Sequence, residues 1–444
     1  MSEQIHQVAI IGGGVCGTAL LYLLSEYSDV NDIVLIEKYE SVAKVNSHGR
    51  NNSQTLHCGD IETNYTLEKA SKVKAAAEMV VNYTATLAAR DNIIFKYPKM
   101  VIGVGEKECR QLRERFTIFR DRFTSMQLLE KEDIARIEPS VVMMQNGEYR
   151  PEPCVALAVL DEYSAVDFNK LAESFVSEAN KDGDTTIELK MNSHVEEILH
   201  IDGVFHINTQ DQSIKAKTVV VSAGGHSLLL AQQMGHGLEF SCLPVAGSFY
   251  FTPKVLNGKV YTVQNDKLPF AAVHGDPDVL IEGKTRFGPT ALLLPLLERY
   301  NMSTFVEFLK VLKLDRRVLK VFWDLFKVTD IRNYILKNFL FEVPGLRRWL
   351  FLKDARKIVP SLQLKDISFA KGFGGVRPQL IDKKKSVLML GEAKINPGNG
   401  IIFNMTPSPG ATSCLENAEL DMRLVTAFLG AKIDEQKLQH VLHK

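Results

Sequence analysis

Apolar and polar residues follow one another along the first 40 positions in an order that predicts a strand, a helix and a second strand. Residues 7–11, QVAII, are the short β-branched run expected of a strand buried on both faces. Residues 15–27, VCGTALLYLLSEY, carry apolar side chains at helical spacing, and residues 32–38, DIVLIEK, form another strand-like run. The pattern therefore predicts a βαβ unit and an α/β fold.

A glycine-rich turn, GGGVCG at residues 12–17, joins the first strand to the helix. Gly12, Gly14 and Gly17 satisfy GxGxxG, and Glu37 closes the second strand 20 residues after Gly17. The glycines let the backbone approach a pyrophosphate, the helix N-terminus offers unpaired N–H groups, and the carboxylate accepts from ribose hydroxyls. This context favours a dinucleotide site over a ligand-free glycine turn.

Later segments favour FAD over NAD as the dinucleotide. Residues 193–225 predict a hairpin turning at Asp202-Gly203, followed by a Thr/Val strand that ends in Ala223-Gly224-Gly225. Another strand-like run, VLMLGEA, occupies residues 387–393.

A turn of Pro407, Ser408, Pro409 and Gly410 comes before a helix predicted from about residue 411. Such a turn aims helix N–H groups at an electron-rich group, and the N1/C2=O edge of a flavin is the natural target. An ordinary capped helix is the alternative.

A polar run, HGRNNSQTLHCGDIETNYT at residues 48–66, follows the βαβ unit. Asn52, Ser53, Gln54 and Thr55 can offer hydrogen bonds to the phosphate, ribityl chain and ring edge of a flavin. His57 follows two residues after Thr55.

Composition narrows the class of protein. The chain has 444 residues, 53 basic and 53 acidic, with 45% hydrophobic residues, which suits a globular protein of two domains and not a nucleic-acid binder. Its six cysteines form no CxxC pair, so neither a metal site nor a disulfide framework is indicated, and a cytoplasmic setting fits best. The N-terminus lacks the features of a secretory signal, and no apolar run is long enough to span a bilayer.

Residues 299–357 differ from this neutral background. They contain 14 Lys or Arg against six acids, a balance of 14 − 6 = +8, and both tryptophans, Trp323 and Trp349. Apolar residues recur at helical spacing with basic residues between them, as in a helix that lies on an anionic lipid surface. A helical cap with a solvated basic face is the alternative.

The chain resembles FAD-dependent oxidoreductases of the glutathione-reductase-2 (GR2)/D-amino-acid-oxidase fold and, within them, malate:quinone oxidoreductases. The resemblance covers nearly the whole chain and is carried by VAIIGGGVCG, NNSQTLHCGDIETNYT, CLPVAGSFYF, KLPFAAVHGDPD, GKTRFGPTALLLP, GFGGVRPQ and NMTPSPGATSCL. The chain is most similar to the shorter branch of the family. The longer branch has Gly-Thr-Gly where this sequence has Gln54-Thr55-Leu56.

The resemblance implies a GR2-type, Rossmann-like FAD-binding domain interleaved with an α+β substrate domain that carries a mostly antiparallel sheet and a helical cap. We expect residues 1–85, 151–225 and 361–444 to form the FAD-binding domain. Residues 86–150 and 226–360 then form the substrate domain.

The expected cofactor contacts combine the motifs above with neighbouring positions. They are Gly12, Gly14, Gly17, Glu37, Lys38, Asn52, Ser53, Gln54, Val195, Ala223, Gly224, Gly374, Pro409, Gly410, Ala411 and Thr412.

Oxidising a 2-hydroxy acid at a flavin requires cations for its carboxylates and a base for the hydroxyl proton. Arg377, in GFGGVRPQL, matches the arginine that clamps substrate carboxylate in the superfamily. Arg286 and Lys284 are candidates for the second carboxylate of malate, unless they only solvate a strand end. Thr55 is a further expected substrate contact.

Two histidines compete for the role of base, because an imidazole of pKa near ~6.5 can accept a proton at neutral pH. His274 matches a position that faces substrate in related enzymes, and His57 follows the first flavin loop. Asp276 and Asp278, in GDPD, are read as turn residues and not as metal ligands.

The function implied is oxidation of L-malate to oxaloacetate with electrons passed to a membrane quinone, at the inner face of the cell membrane. L-lactate or L-2-hydroxyglutarate is the alternative substrate, and oxygen the alternative acceptor. An FAD-binding protein with a structural or RNA-modifying role belongs to a different class, and neutral charge argues against it.

Overall fold

A computed structural model describes residues 4–181, 183–264, 272–389, 392–406 and 409–444. Two residues of the predicted flavin turn, Pro407 and Ser408, lie outside the described residues, as do residues 265–271, which include the first five residues of the motif KLPFAAVHGDPD.

The helices are α1 (Val15–Tyr27), α2 (Leu67–Ala85), α3 (Glu106–Phe119), α4 (Lys131–Ile137), α5 (Pro139–Val142), α6 (Phe168–Ala179), α7 (Gly225–Gln233), α8 (Thr304–Leu312), α9 (Arg316–Lys327), α10 (Thr329–Leu340), α11 (Leu346–Ile358), α12 (Cys414–Leu429) and α13 (Glu435–Leu442). A single 3₁₀ turn covers Arg90–Asn92.

The strands are β1 (Ile5–Ile11), β2 (Asp32–Ile36), β3 (Ile94–Lys96), β4 (Lys99–Val104), β5 (Gln127–Leu129), β6 (Cys154–Val159), β7 (Tyr163–Val166), β8 (Thr186–Lys190), β9 (Val195–Ile201), β10 (Val204–Thr209), β11 (Ser213–Val221), β12 (Phe240–Ala246), β13 (Tyr250–Pro253), β14 (Lys259–Thr262), β15 (His274–Pro277), β16 (Lys284–Gly288), β17 (Leu292–Leu293), β18 (Ser368–Phe369), β19 (Val376–Asp382), β20 (Val387–Met389), β21 (Ala393–Ile395) and β22 (Ile401–Met405).

The first sheet is built on the predicted βαβ unit. Its order is β21-β22-β11-β1-β2-β8, and β22, β11, β1, β2 and β8 run parallel. The β9–β10 hairpin extends β11 and turns at Asp202-Gly203, as predicted. The central strands are buried on both faces, which explains their continuous apolar sequence.

Helices α1, α2, α6 and α12 pack in one core on a face of this sheet. Tyr22 of α1 contacts the rings of Tyr83 and Phe175, with centroids 4.8 and 5.6 Å away. Helix α6 begins where the sequence predicts, because the Asp167 side chain accepts hydrogen bonds from the backbone N–H groups of Asn169 and Lys170. Helix α12 begins three residues later than the predicted start at about 411.

The second sheet has the order β18-β13-β16-β15-β14-β4-β6-β5 and is antiparallel except for the β14–β4 pair. Strand β6 pairs with β4 and β5 in this sheet, although the expected boundary at residue 151 assigns it to the FAD unit. A strand buried at every position, as β6 is, has the same sequence pattern in either sheet. Only its pairing partners distinguish the two assignments.

A third, smaller sheet of order β17-β12-β19-β20 crosses the other expected boundary. Strand β19, from the last FAD segment, pairs over its whole length with β12, from the substrate segment. This pairing matters for the site because it fixes the position of Arg377 opposite Val245.

The basic segment at 299–357 forms helices α8 to α11. The inner residues of α8 and α9 pack against α7, β12 and β19, and those of α11 pack against the second sheet. Many apolar residues on their other faces are exposed. No helix in the described part of the chain combines the length and apolar character needed to cross a membrane.

Candidate active site

The glycine turn after β1 brings two backbone segments into close contact. A Cβ on Gly17 would lie 2.0 Å from the Gly12 carbonyl oxygen, and a Cβ on Gly12 would lie 2.5 Å from that of Ser222. Gly12 has φ +106°, which side chains rarely allow. Only glycine therefore permits the turn that points the N-terminus of α1 at a ligand.

Glu37 lies at the end of β2 with its carboxylate turned toward this glycine turn. It accepts hydrogen bonds from the N–H of Gly13 (2.7 Å) and from the N–H of Tyr39 (3.0 Å). Burial raises the pKa of Glu37, while these N–H donors oppose the rise. The neighbouring Lys38 is already paired with Glu298, and both residues line the cavity described next.

A cavity of about 430 Å³ opens where the glycine turn, β2, β9, β11 and the start of α12 meet. Nine of the expected cofactor contacts line it: Gly12, Gly14, Glu37, Lys38, Val195, Ala223, Gly224, Gly410 and Ala411. Gly17 does not line the cavity; it packs against the Gly12 carbonyl behind it. A glycine-lined approach to a helix N-terminus beside a carboxylate fits the dinucleotide part of FAD.

A smaller cavity of about 120 Å³ adjoins the first. Asn46, Pro378, Thr406 and Ala411 line both. The expected contacts Asn52, Ser53, Thr55, His57, Arg377, Pro409 and Thr412 line the smaller one. The polar run at 48–66, the segment before the last strand and the turn before α12 are thus brought together here.

Arg377 is the cation in this smaller cavity. Within the described ranges its guanidinium group makes no ion pair or hydrogen bond. Burial lowers its pKa, and the nearby phenols of Tyr334 and Tyr261 oppose that effect. Asn46 holds the preceding residue in place through a hydrogen bond to the Val376 carbonyl at 2.9 Å. An unpaired guanidinium beside a cavity attracts a carboxylate.

His57 is fixed at both its backbone and its ring. Its N–H donates to Thr412 Oγ1 at 3.1 Å, and its Nδ1 lies 2.8 Å from Glu62 Oε1. Burial raises the pKa of Glu62, but the hydrogen bond and charge of His57, with Lys99 behind, hold it below its usual range. The sequence interpretation missed Glu62, because a spacing of five residues within a loop has no periodic signal.

His274, the other candidate base, lies outside both cavities. It is buried on β15 and its ring stacks on Tyr261, with centroids 4.4 Å apart. Its Nδ1 is 2.6 Å from Asp276, and burial lowers its pKa. His274, predicted to face substrate, is therefore separated from the cavity by Tyr261 and Thr55. The hydroxyls of Tyr261 and Thr55 lie 2.8 Å apart.

The sequence suggested that Asp276 and Asp278 are turn residues, but the structure gives both of them buried charged partners. Asp276 is fully buried on β15 between His274 and Lys259, whose Nζ is 3.1 Å away. Burial raises the pKa of Asp276, but His274 and Lys259 outweigh it and hold the pKa well below the usual range. Asp278 lies 3.4 Å from Arg286 Nη1.

The prediction that Arg286 or Lys284 binds the second carboxylate is contradicted by their positions. Arg286 is fully buried, donates to the Gly49 carbonyl at 3.0 Å and lies over the Phe249 ring at 4.4 Å. Lys284 is exposed at the start of β16. Alternate residues of a strand face opposite sides, and the sequence does not say which side meets the ligand.

Two expected cofactor contacts also lie elsewhere. The Gln54 side chain is buried between the Gly49 carbonyl, 3.1 Å away, and the Val279 N–H, 3.0 Å away. Gly374 lines neither cavity; it lets the backbone pass Gly247, because a Cβ there would lie 1.9 Å from the Gly247 carbonyl oxygen.

One group of possible metal ligands occurs in the described part of the chain, at Cys58, Asp60 and Glu162. Lysine ammonium groups already neutralise its two acids. Lys99 lies 2.6 Å from Asp60, and Lys74 lies 2.8 Å from Glu162. We assign no metal to it.

Comparison with solved structures agrees with the architecture. The chain superposes on L-α-glycerophosphate oxidase from Mycoplasma pneumoniae, solved with FAD bound, with a TM-score of 0.65 at 19% identity, covering 97% of this chain and 96% of that one. Glycine oxidase from Geobacillus kaustophilus gives a TM-score of 0.65 at 16% identity, covering 95% of each chain. The parallel sheet, its glycine-lined cavity and the second sheet define a fold of the GR2/D-amino-acid-oxidase type.

Sequence comparison narrows this class. The Malate:quinone oxidoreductase (Mqo) family matches residues 4–444. A probable malate:quinone oxidoreductase from Campylobacter jejuni is 51% identical over 451 residues, covering 100% of both chains. Malate:quinone oxidoreductase from Helicobacter pylori is 46% identical over 440 residues, covering 98% of this chain and 97% of that one.

The chain belongs to the malate:quinone oxidoreductase family. Its reaction is the FAD-dependent oxidation of malate to oxaloacetate with quinone as the electron acceptor. These findings favour malate over lactate or 2-hydroxyglutarate, and quinone over oxygen.

Proposed function

We propose that malate is oxidised in the smaller cavity, with Arg377 binding a carboxylate and His57 accepting the hydroxyl proton. One observation carries the proposal: Arg377 and His57 line the same cavity, which adjoins the glycine-lined one. Bound FAD supplies the acceptor for the hydride that leaves C2 of malate.

The protein's own residues orient the substrate and remove its proton. The planar Arg377 guanidinium forms two parallel hydrogen bonds with a carboxylate and so fixes C2 in one orientation. The hydroxyl on C2 then faces the His57 ring, and Thr55 contacts the substrate from the same wall. An imidazole with a free ring nitrogen accepts the proton as the carbonyl of oxaloacetate forms.

His57 is a better candidate for the base than His274. A general base must come within hydrogen-bond reach of the proton that it removes. His57 lines the cavity, whereas His274 is buried behind Tyr261 and already engaged by Asp276. We therefore propose that His274 supports the wall that carries Thr55.

Substitution of Arg377 tests the carboxylate assignment. Arg377→Met should retain FAD but slow reduction of the flavin by malate about 10²-fold or more, because two charge-assisted hydrogen bonds of about 1.5–3 kcal/mol each are lost. The measurement is anaerobic bleaching of the flavin absorption band after addition of malate. A quinone analogue should then restore the band.

The matched control is Arg113→Met, which removes an exposed arginine paired with Glu130 and should leave the rate unchanged. Normal bleaching of the Arg377→Met protein would remove Arg377 from the substrate site.

We also propose that helices α9 and α10 dock on anionic lipid at the inner face of the cell membrane, where a quinone is reached from the bilayer. Exposed apolar residues on these helices define what we term the apolar cap face: Leu319, Trp323, Phe326, Leu336, Phe339 and Leu340. Exposed basic residues lie between them. This combination supports an interfacial helical surface.

A further inference from the structure

We propose that Glu62 is a positioning residue for the proposed base, holding the His57 ring in the tautomer and orientation that leave Nε2 free to accept the substrate proton. The inference rests on the proposed function, in which His57 is the base.

The geometry of the pair determines which ring nitrogen carries the proton. An ionised carboxylate can only accept hydrogen bonds, so at 2.8 Å from Glu62 Oε1 the Nδ1 of His57 must be the donor. In the neutral ring Nε2 is then the unprotonated nitrogen. Nε2 has no hydrogen-bond partner among the described residues, and His57 lines the substrate cavity.

The Glu62 carboxylate is buried, and its contacts identify the His57 ring as its side-chain partner. A buried carboxylate is costly unless it is paired. Oε1 of Glu62 contacts the His57 ring, while Oε2 is buried with no partner in the described part of the chain. The His57 ring is therefore the side chain that this carboxylate serves.

The loop that carries Glu62 is itself held firmly by Arg115 of α3. The guanidinium donates to the carbonyls of Glu62 at 2.7 Å and Tyr65 at 3.0 Å, and its Cζ lies 3.6 Å from the Phe119 ring centroid. Gly59, with φ +82°, lets the loop pass α2, where a Cβ would lie 2.3 Å from the Ala70 carbonyl oxygen. The carboxylate is fixed before substrate binds.

The surrounding charges keep Glu62 ionised. Arg115 and Lys99 are the cations on its protein side, and Asp60 is the nearby acid, paired with Lys99 at 2.6 Å. Arg377 lies across the cavity. The two cations behind Glu62 balance its charge and that of Asp60.

The proton of the malate hydroxyl moves to His57 Nε2, the electron pair of the O–H bond becomes the second C2–O bond, and the C2–H bond breaks, its electron pair leaving as a hydride that bound FAD would accept. His57 becomes an imidazolium that keeps its Nδ1 proton. The Glu62 carboxylate, still ionised, stabilises that positive charge without taking a proton.

Replacement of Glu62 by glutamine removes the charge and keeps the shape. Glu62→Gln should bind FAD normally and slow flavin reduction by malate about 10²-fold, within the range that a general base contributes. Because the charge that stabilises the imidazolium is lost, the variant should also change the pH dependence of flavin reduction.

The control pair is Glu419 and His443, which are 2.7 Å apart near the C-terminus and line neither of the two cavities. Glu419→Gln should change neither the rate nor its pH dependence. Glu62→Asp, which keeps the charge, should retain the pH dependence of the natural protein even if its rate is reduced. If Glu62→Gln does not fold, Glu62→Asp carries the test, and a changed pH dependence in Glu62→Asp would overturn the inference.

A double variant separates positioning from general damage. If Glu62 acts through His57, then Glu62→Gln added to His57→Asn should cost no further rate, because residues that act as a unit are not additive. A further loss as large as in the single variant would overturn the role of Glu62. Full activity of His57→Asn alone would instead overturn the base assignment.

Discussion

At the scale of single residues, Arg286 and Arg377 show how one side-chain type reaches opposite roles. Both lie in segments bounded by glycine, and both were predicted to bind substrate carboxylate. Arg286 is fully buried against Asp278, the Gly49 carbonyl and the Phe249 ring. Arg377 lines a cavity and has no ion-pair partner among the described residues. What distinguishes the two is whether the fold supplies a counter-charge.

Arg286→Met should therefore destabilise the protein, because it leaves Asp278 buried without its cation. Breaking a buried ion pair from one side typically costs about 3–5 kcal/mol in the free energy of unfolding. Urea denaturation of the FAD-loaded protein measures this cost.

Two other variants serve as comparison. Arg136→Met, which breaks an exposed pair with Asp133, should change the free energy of unfolding by less than about 0.5 kcal/mol. Arg377→Met should do little more, since it leaves no acid unpaired. If Arg286→Met were as stable as the natural protein, the structural role of Arg286 would be wrong.

At the scale of elements, the approach to β19 decides where Arg377 lies. The loop at 372–375 passes close to two other loops: a Cβ on Gly375 would lie 2.4 Å from the Asn51 carbonyl oxygen. Strand β19 then pairs along β12. The sequence contains the glycines and the arginine of this segment, but it does not reveal the pairing of β19 with β12 that places Arg377 at the cavity.

Gly374→Ala tests this close passage. Gly374 has φ +122°, and a Cβ would lie 1.9 Å from the Gly247 carbonyl oxygen, so the backbone must shift just before Arg377. We expect at least a tenfold slower reduction of the flavin by malate and a lower unfolding temperature. Both are measured on the purified FAD-loaded protein.

Gly372→Ala is the matched control. Gly372 also has positive φ, +81°, but a Cβ there meets nothing within 4 Å. Its cost should be the backbone strain alone, about 1–2 kcal/mol of stability, with the rate of flavin reduction unchanged. Equal effects of the two substitutions would show that close contact at Gly374 is unimportant.

At the scale of the whole molecule, the excess positive charge is confined to 299–357 while the rest of the chain balances it. The helices of this segment cover the third and second sheets with their inner residues and expose the apolar cap face. The segment can be both a cap and a lipid-binding surface, because the inner faces of its helices pack on the sheets while the outer faces are exposed.

Docking on lipid can be tested with exposed residues that do not support the core. Trp323→Ser combined with Phe326→Ser should reduce sedimentation with anionic vesicles, because the apolar contact with the interface is lost. Binding of the natural protein should weaken as salt rises to about 1 M, where the Debye length falls to roughly 3 Å.

Ile118→Ser is the control, since Ile118 is an exposed apolar residue of α3, outside the basic segment. It should sediment like the natural protein. No binding of the natural protein to anionic vesicles at low salt would leave the segment as a cap only.

The sequence by itself determined the local elements whose signals are contiguous. The glycine turn between β1 and α1, the acid at Glu37, the hairpin at Asp202-Gly203 and the cap at Asp167 all depend on neighbours in the chain. Period and capping chemistry are local, so they can be read directly. These features predicted a βαβ dinucleotide-binding unit and favoured FAD, while the GR2-type architecture was implied by the family resemblance.

Only the tertiary structure decided which side chains meet. The sequence made both histidines candidates for the base and favoured His274, yet His57 reaches the cavity and His274 is buried behind Tyr261. Strand β6 has the same buried pattern whichever sheet it joins. Sequence patterns report how deeply a residue is buried, whereas the direction it faces and its partners depend on pairings between segments far apart in the chain.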